Sequence, residues 1–315
     1  LKALAGQSLR QPILVTGAHR SGTTWVGKML AAHPQVAYIS EPLNLWHRPG
    51  VLRAPVKYWY TYLFPENEAD FYQPLQETIA FRYHLLAELG ALRSRKDLLR
   101  MLRDGSIFLR GRISHQQPLL KDPFALFSAP WFARRLGCRV VILVRHPAAF
   151  ASSLERLGWH FDFSHLLAQP QLLRDHLASF RPEMEKMLAR PADVIAQACL
   201  LWRMVYAVVD QFRRKYPDFH IVRHEDLSRQ PLEGFQRLYA SLGLTFPPRV
   251  QKAILSSSSP QNPREGNKKA LYTINLDSRA NLANWQRRLD IKTIDRIREL
   301  TAGVSECFYT PQDWQ

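Results

Sequence analysis

The chain has 315 residues, 46% of them hydrophobic, and a formal net charge of +16. That length and apolar content exclude a wholly disordered chain and supply a sizeable core. The charge draws anions (acidic lipid, polyanionic glycan, a phosphorylated cofactor), while the absence of RNA-binding or zinc-finger signatures argues against nucleic acid as the partner. Cys138, Cys199 and Cys307 have neither metal nor disulfide spacing, so no metal site is expected and a reducing, cytoplasmic setting is. No apolar run approaches the length of a membrane span. The first residue is Leu rather than Met, which leaves open a trimmed amino-terminal targeting or anchor segment.

In chain order, residues 1–11 read as a lead-in. The apolar run over 12–16 predicts a short buried strand. Gly17-Ala18-His19-Arg20-Ser21-Gly22-Thr23-Thr24-Trp25 follows, and 25–32 predicts a helix stopped by His33-Pro34. Strand, glycine loop and helix start make a phosphate cradle. Glycines let the backbone turn its N–H groups inward, the helix N-terminus adds partial positive charge, and Thr23 and Thr24 add hydroxyl donors. The spacing G-x-x-x-x-G is that of a nucleoside-triphosphate loop, but Thr23 stands where such a loop carries Lys. Arg20 is the nearby fixed cation. The loop therefore suits an anion and lacks the usual equipment for splitting a triphosphate.

Residues 35–40 predict a second strand, ended by Glu41-Pro42. In a parallel sheet the glycine loop and Glu41 then share the carboxyl edge, where ligands bind. Residues 45–112 are dense in aromatics, Trp46 and Trp59 among them, and end in a basic helical segment around 93–103. They predict a helical and irregular cover that shapes an acceptor pocket. Pro118-Leu119-Leu120-Lys121-Asp122-Pro123 predicts a short strand. Arg139-Val140-Val141-Ile142-Leu143-Val144 predicts the buried centre of the sheet, ending in Arg145-His146-Pro147, with a helix over 148–156. A second irregular insertion is expected near 158–190 and a long helix over 191–216. Phe219-His220-Ile221-Val222 predicts the last strand. A helix over 232–242, a flexible loop from Ser256 to Lys269, and helices over 281–289 and 291–300 complete the chain. The alternation predicts an α/β fold, a central parallel sheet between helical layers, in one domain over 1–315.

Arg20-Ser21-Gly22-Thr23-Thr24-Trp25, the strand ending in Arg145, and Ser152-Ser153 together resemble the PAPS-dependent sulfotransferases. PAPS is 3'-phosphoadenosine-5'-phosphosulfate. The resemblance implies that the P-loop-like segment, His19, Arg20, Ser21, Gly22, Thr23 and Thr24, grips the 5'-phosphosulfate. It implies that Arg145 and Ser153 bind the 3'-phosphate and that Trp25 packs on the adenine. Arg223-His224-Glu225-Asp226-Leu227 resembles the family's R-Y-E-D-L, with His224 in the place of the base-contacting Tyr. Ser278-Arg279-Ala280-Asn281 resembles the late segment that closes on the cofactor, with Arg279 adding charge at the 3'-phosphate. The chemistry agrees: anions at both ends of an adenosine need two cationic or N–H-rich sites, and the Arg145 fork suits a phosphate.

Sulfuryl transfer to a hydroxyl needs a base, charge stabilisation and in-line geometry. The run from Arg20 through His33-Pro34 to Ser40-Glu41-Pro42 resembles the carbohydrate-type branch, in which a Glu at this place is the base. The cytosolic aryl and steroid branch uses a His two residues after a Lys, and here that position, two after Lys121, is Pro123. Glu41 is therefore the expected base, Lys121 and Arg20 the expected charge stabilisers, and His115 and His19 the alternative bases. The expected partners are PAPS, its product PAP and a hydroxyl-bearing acceptor: a carbohydrate first, a lipid or phenol second. Two other readings stay open at this stage, a P-loop phosphotransferase and a non-catalytic binder of anionic ligands.

Overall fold

Alternate residues of a short apolar strand face opposite ways, and here both faces are covered. Ile13 and Val15 pack with Val26, Met29, Phe235 and Tyr239, whereas Leu14 packs with Leu120, Ile142 and the helix Val194–Lys215. The computed structural model describes residues 10–190, 193–266 and 274–315. Its sheet has five parallel strands: β1 Ile13–Gly17, β2 Val36–Ser40, β3 Gln117–Lys121, β4 Arg139–Val144 and β5 His220–Arg223. Their order is β2-β3-β1-β4-β5, so the glycine loop leaves the central strand with two strand ends on either side. Helices α1 (Thr23–Leu30), α2 (Tyr72–Ile79), α3 (Leu85–Gly90), α4 (Arg95–Ile113), α5 (Ala129–Leu136) and α6 (Pro147–Leu157) follow in chain order among the strands. The expected α/β architecture, a parallel sheet between helical layers, is what is found.

Each expected strand is present, within two residues at its ends. The differences lie in the connections. Residues 158–190 were expected to be irregular but hold helical turns and the helix Arg181–Ala189, because Leu166, Leu172, Leu177 and Met184 bury themselves against the main core. The expected flexible loop begins later than Ser256, since the helix Pro248–Ser257 runs into it; residues 267–269 of that expectation lie outside the described residues. The helix expected over 281–289 is two short ones, Ser278–Leu282 and Asn284–Arg288. The Asn284 amide there bonds the Arg264 carbonyl and the Asn281 side chain. The long helix starts at Val194, where the Asp193 carboxylate caps the Ala196 N–H; residues 191–192 lie outside the described residues.

Candidate active site

The loop after β1 reverses direction through left-handed backbone at Arg20 (φ 67°) and Gly22 (φ 97°). A side chain at position 22 would be strained by that φ and would meet His224 Cδ2 at 2.4 Å. Gly22 is also the N-cap of α1 and leaves the first-turn N–H groups without a side-chain cap, the arrangement that suits an anion. Two neighbours fix the loop. Arg145 Nη1 donates to the Arg20 carbonyl at 2.6 Å, and Arg20 Nε donates to Ser153 Oγ at 3.3 Å. The His19 N–H donates to the Tyr60 hydroxyl at 3.2 Å, and His19 Nδ1 lies 3.0 Å from the same oxygen. Burial, then the Arg20 charge, lower His19 to about 4. It is neutral at pH 7 and a poor base.

Parallel pairing of β2 with β3 sets Ser40 opposite Lys121, and the ladder runs on through Glu41 N–H to the Lys121 carbonyl at 2.7 Å. Glu41 then turns sharply (φ 49°) and presents its carboxylate to Lys121 Nζ and to Asn44 Nδ2, the latter at 2.7 Å. Lys121 is only 1% exposed. Its stem crosses Gly27 of α1, where a β-carbon would sit 3.0 Å from Lys121 Cγ. Asp122, fully buried, accepts the Leu43 and Phe124 N–H groups and so ties the chain beyond Glu41 to the chain beyond Lys121. Burial, then the Glu41 charge, push its carboxyl up to about 7.

On the other side of β1, the ends of β4 and β5 are locked together. The Arg145 carbonyl accepts Trp202 Nε1 at 2.8 Å. Buried Glu225 accepts the His146 N–H at 3.0 Å and the Tyr309 hydroxyl at 2.9 Å. This leaves Arg145 pointing across the loop, and among the described residues no acceptor reaches its buried Nε or the buried Ser21 Oγ. His224 lies edge-on to Trp25, with ring centres 5.7 Å apart. Burial, then the Arg145 charge, lower His224 to about 3, so it too is neutral.

These strand ends open into one cavity of about 650 Å3. His19, Arg20, Gly22, Thr23, Thr24, Trp25, Glu41, Arg145, Ser153, His224 and Ser278 all line it. Ser21 and Lys121, both buried, are not among its lining residues; Lys121 meets it through its bond to Glu41. Trp25 is mostly taken up by the core: its indole N–H donates to Ser257 Oγ at 3.0 Å and its ring meets Phe235 edge-on. Arg279 is not among the lining residues; its Nε donates to the Arg229 carbonyl at 3.1 Å. Arg156 and Arg288 line the cavity instead, beside Ser153 and Ser152, with Arg288 Nη1 3.3 Å from Ser152 Oγ. Arg156 was missed in the sequence, although its place one turn after Ser153 on the same face of α6 is a signal that could have found it. Arg288 comes from a distant segment with no local signal. His115 is exposed before the amino end of β3, at the opposite edge of the sheet from Glu41, and lines no part of the cavity.

Away from the cations the wall is aromatic. Trp46, Trp59, Phe124, Trp159 and Phe161 face the cavity next to Asn44 and His160. Trp59 packs on Phe124 at 4.4 Å and meets Trp46 edge-on at 5.1 Å. The Arg20 guanidinium lies over the Trp159 ring at 5.7 Å, at the boundary of the two regions.

The model of the sulfotransferase family matches residues 12–248. The chain belongs to the sulfotransferase family. Human carbohydrate sulfotransferase 5 is 25% identical over 342 aligned positions, covering 95% of this chain and 77% of that protein. Human carbohydrate sulfotransferase 6 is also 25% identical, covering 95% of this chain and 80% of that protein. The solved sulfotransferase domain of the Synechococcus PCC 7002 olefin synthase has 17% identity and a TM-score of 0.50, with 96% of this chain and 98% of that domain covered. That last likeness concerns the fold alone. Both of these relatives are carbohydrate sulfotransferases, the branch that the Glu41 segment resembles.

Proposed function

We propose that this sulfotransferase moves a sulfuryl group from PAPS to a hydroxyl of a carbohydrate acceptor and releases PAP, with Glu41 as general base. The observation that carries the reading is the Glu41–Lys121 pair, set beside the glycine loop in a cavity that Arg145, Arg156 and Arg288 also line. The buried Arg145 Nε and Ser21 Oγ, without acceptors among the described residues, fit a ligand with oxyanions at both places. PAPS supplies the activated sulfuryl group. The first-turn N–H groups of α1, Thr23, Thr24 and Arg20 hold its 5' end. Arg145 and Ser153, joined by Arg156 and Arg288, hold its 3'-phosphate. Trp25, His224 and Ser278 line the stretch between them for the base.

In the reaction the acceptor oxygen–sulfur bond forms as the bond from sulfur to the 5'-phosphate oxygen breaks. Glu41 takes the hydroxyl proton. Asn44 Nδ2 donates to one carboxylate oxygen and Lys121 Nζ to the other, which fixes the group's orientation. Lys121 and Arg20 balance the negative charge that gathers on the leaving side. A carbohydrate is favoured by the relatives and by the Trp46 and Trp59 faces, which suit a sugar ring beside the polar Asn44 and His160. Because the lining cations gather at the donor end, a neutral sugar fits the aromatic end better than a polyanion does.

Replacing Glu41 by Gln tests the base. We expect kcat to fall about 10²- to 10⁴-fold while PAP binding, measured by calorimetry, stays unchanged. Full turnover in Glu41→Gln would overturn the assignment, and a thermal melt reports separately on the cost of leaving buried Lys121 without its partner.

A further inference from the structure

The insertion over 45–112 carries a surface that sulfuryl transfer does not use. α4 has three lengthwise sectors. Asp97, Met101, Phe108 and Gly111 are buried against the fold. Leu98, Leu99, Leu102, Leu109 and Ile113 are between 43% and 68% exposed. At 3.6 residues per turn these five fall within an arc of roughly 100°. Beside that arc Lys96, Arg100, Arg103 and Arg110 are all exposed. α3 adds Leu86, 84% exposed, and Arg48 bonds both Glu88 of α3 and Asp97 of α4, at 2.6 and 3.2 Å, so the two helices are braced as one unit. Single exposed leucines need no explanation; a row of them along one helix, flanked by cations, does.

The charge pattern selects the occupant. α4 carries Arg95, Lys96, Arg100, Arg103, Arg110 and Arg112 against only Asp97 and Asp104. Both carboxylates are already bonded, Asp97 to Arg48 and Arg100, Asp104 to Arg103. A second copy in a two-fold contact would set this basic sector against itself. An anionic lipid surface satisfies both sectors: the leucines enter the acyl boundary, while the long Arg and Lys stems reach the headgroup phosphates. No helix among the described residues is long and apolar enough to cross a membrane, and α4 would lie in the interface rather than span it. We infer that α3 and α4 form a docking surface for an anionic lipid bilayer.

Vesicle cosedimentation of the full chain tests this, using phosphatidylcholine alone and phosphatidylcholine with about one-third phosphatidylserine. The protein should sediment with the anionic vesicles and not with the neutral ones. The triple variant Leu99→Ser, Leu102→Ser, Leu109→Ser keeps every charge and should bind the anionic vesicles about tenfold more weakly or worse. Its circular dichroism and PAP affinity should match the parent, which shows that it is folded. Three outcomes would overturn the proposal: no binding to anionic vesicles, equal binding by the triple variant (charge attraction alone), or a concentration-dependent dimer in ultracentrifugation that the triple variant abolishes.

Discussion

The cationic end of the cavity is built from the ends of β1, β4 and β5, and hydrogen bonds hold Arg20, Arg145, Ser153 and Ser278 there. The acceptor end is built by the two insertions, and its lining is ring against ring. Neutral His19, Arg20 and Phe124 lie where the two meet. The proposed function accounts for the contrast. An oxyanion needs donors at fixed points, which a strand-loop-helix turn supplies from one short stretch of chain. An uncharged acceptor needs a shaped apolar wall, which any set of packed rings can form. The first is therefore rigid and local, and the second can be rebuilt by changing loops.

Variants that touch one end only should separate these properties. The largest binding effect is expected from Arg145→Ala, which removes a charged donor: PAP affinity should weaken about 10- to 100-fold, read by calorimetry, with the acceptor KM little changed. Equal loss of both affinities would mean that the ends are not independent. Trp46→Ala should raise the acceptor KM about three- to tenfold and leave PAP affinity alone. Trp46 is 80% exposed, so the melting temperature should hold; an unchanged KM would remove Trp46 from the acceptor wall.

The smallest effect concerns pH. His19, His146 and His224 are lowered to about 4, 3 and 3, chiefly by burial, and are neutral in the fold. The unfolded chain protonates these histidines below about 6.5, so their stabilising contribution is lost as pH falls from there toward 3 to 4. Asp122 acts in the opposite sense: raised to about 7, it stabilises most at low pH, and that contribution is lost as pH rises through about 7. Burial raises Glu225 in the same sense as Asp122 and lowers His33, His47, His84, His176 and His220 in the sense of the three histidines; the histidines outweigh the two carboxyls, and denaturant unfolding should show lower stability at pH 5 than at pH 7. The reverse order would show that these buried histidines do not set the acid limit.

The same contrast governs what could be read from the chain. The five strands, the glycine loop and the positions of Glu41, Lys121 and Arg145 were legible, because each depends on a few adjacent residues: an apolar run, two glycines, a strand-ending proline. That Lys121 would be buried was not legible, since its space comes from Gly27 on another element. Arg288 and the displacement of Arg279 were hidden for a similar reason: the choice between them depends on how a late segment packs against α6, which no local pattern encodes. The aromatic insertion was legible as a cover, but the particular rings that face the cavity were not, because packing residues and lining residues have the same composition.

On the proposed function, one cavity passes a sulfuryl group from PAPS to a sugar. Incubation of the purified protein with sulfur-labelled PAPS and a panel of neutral and anionic oligosaccharides, lipids and phenols tests it most directly. Label should appear on a hydroxyl of a neutral carbohydrate, with one PAP released for each ester formed. Tight PAP binding with no label on any acceptor, or magnesium-dependent phosphate transfer from ATP in its place, would contradict it.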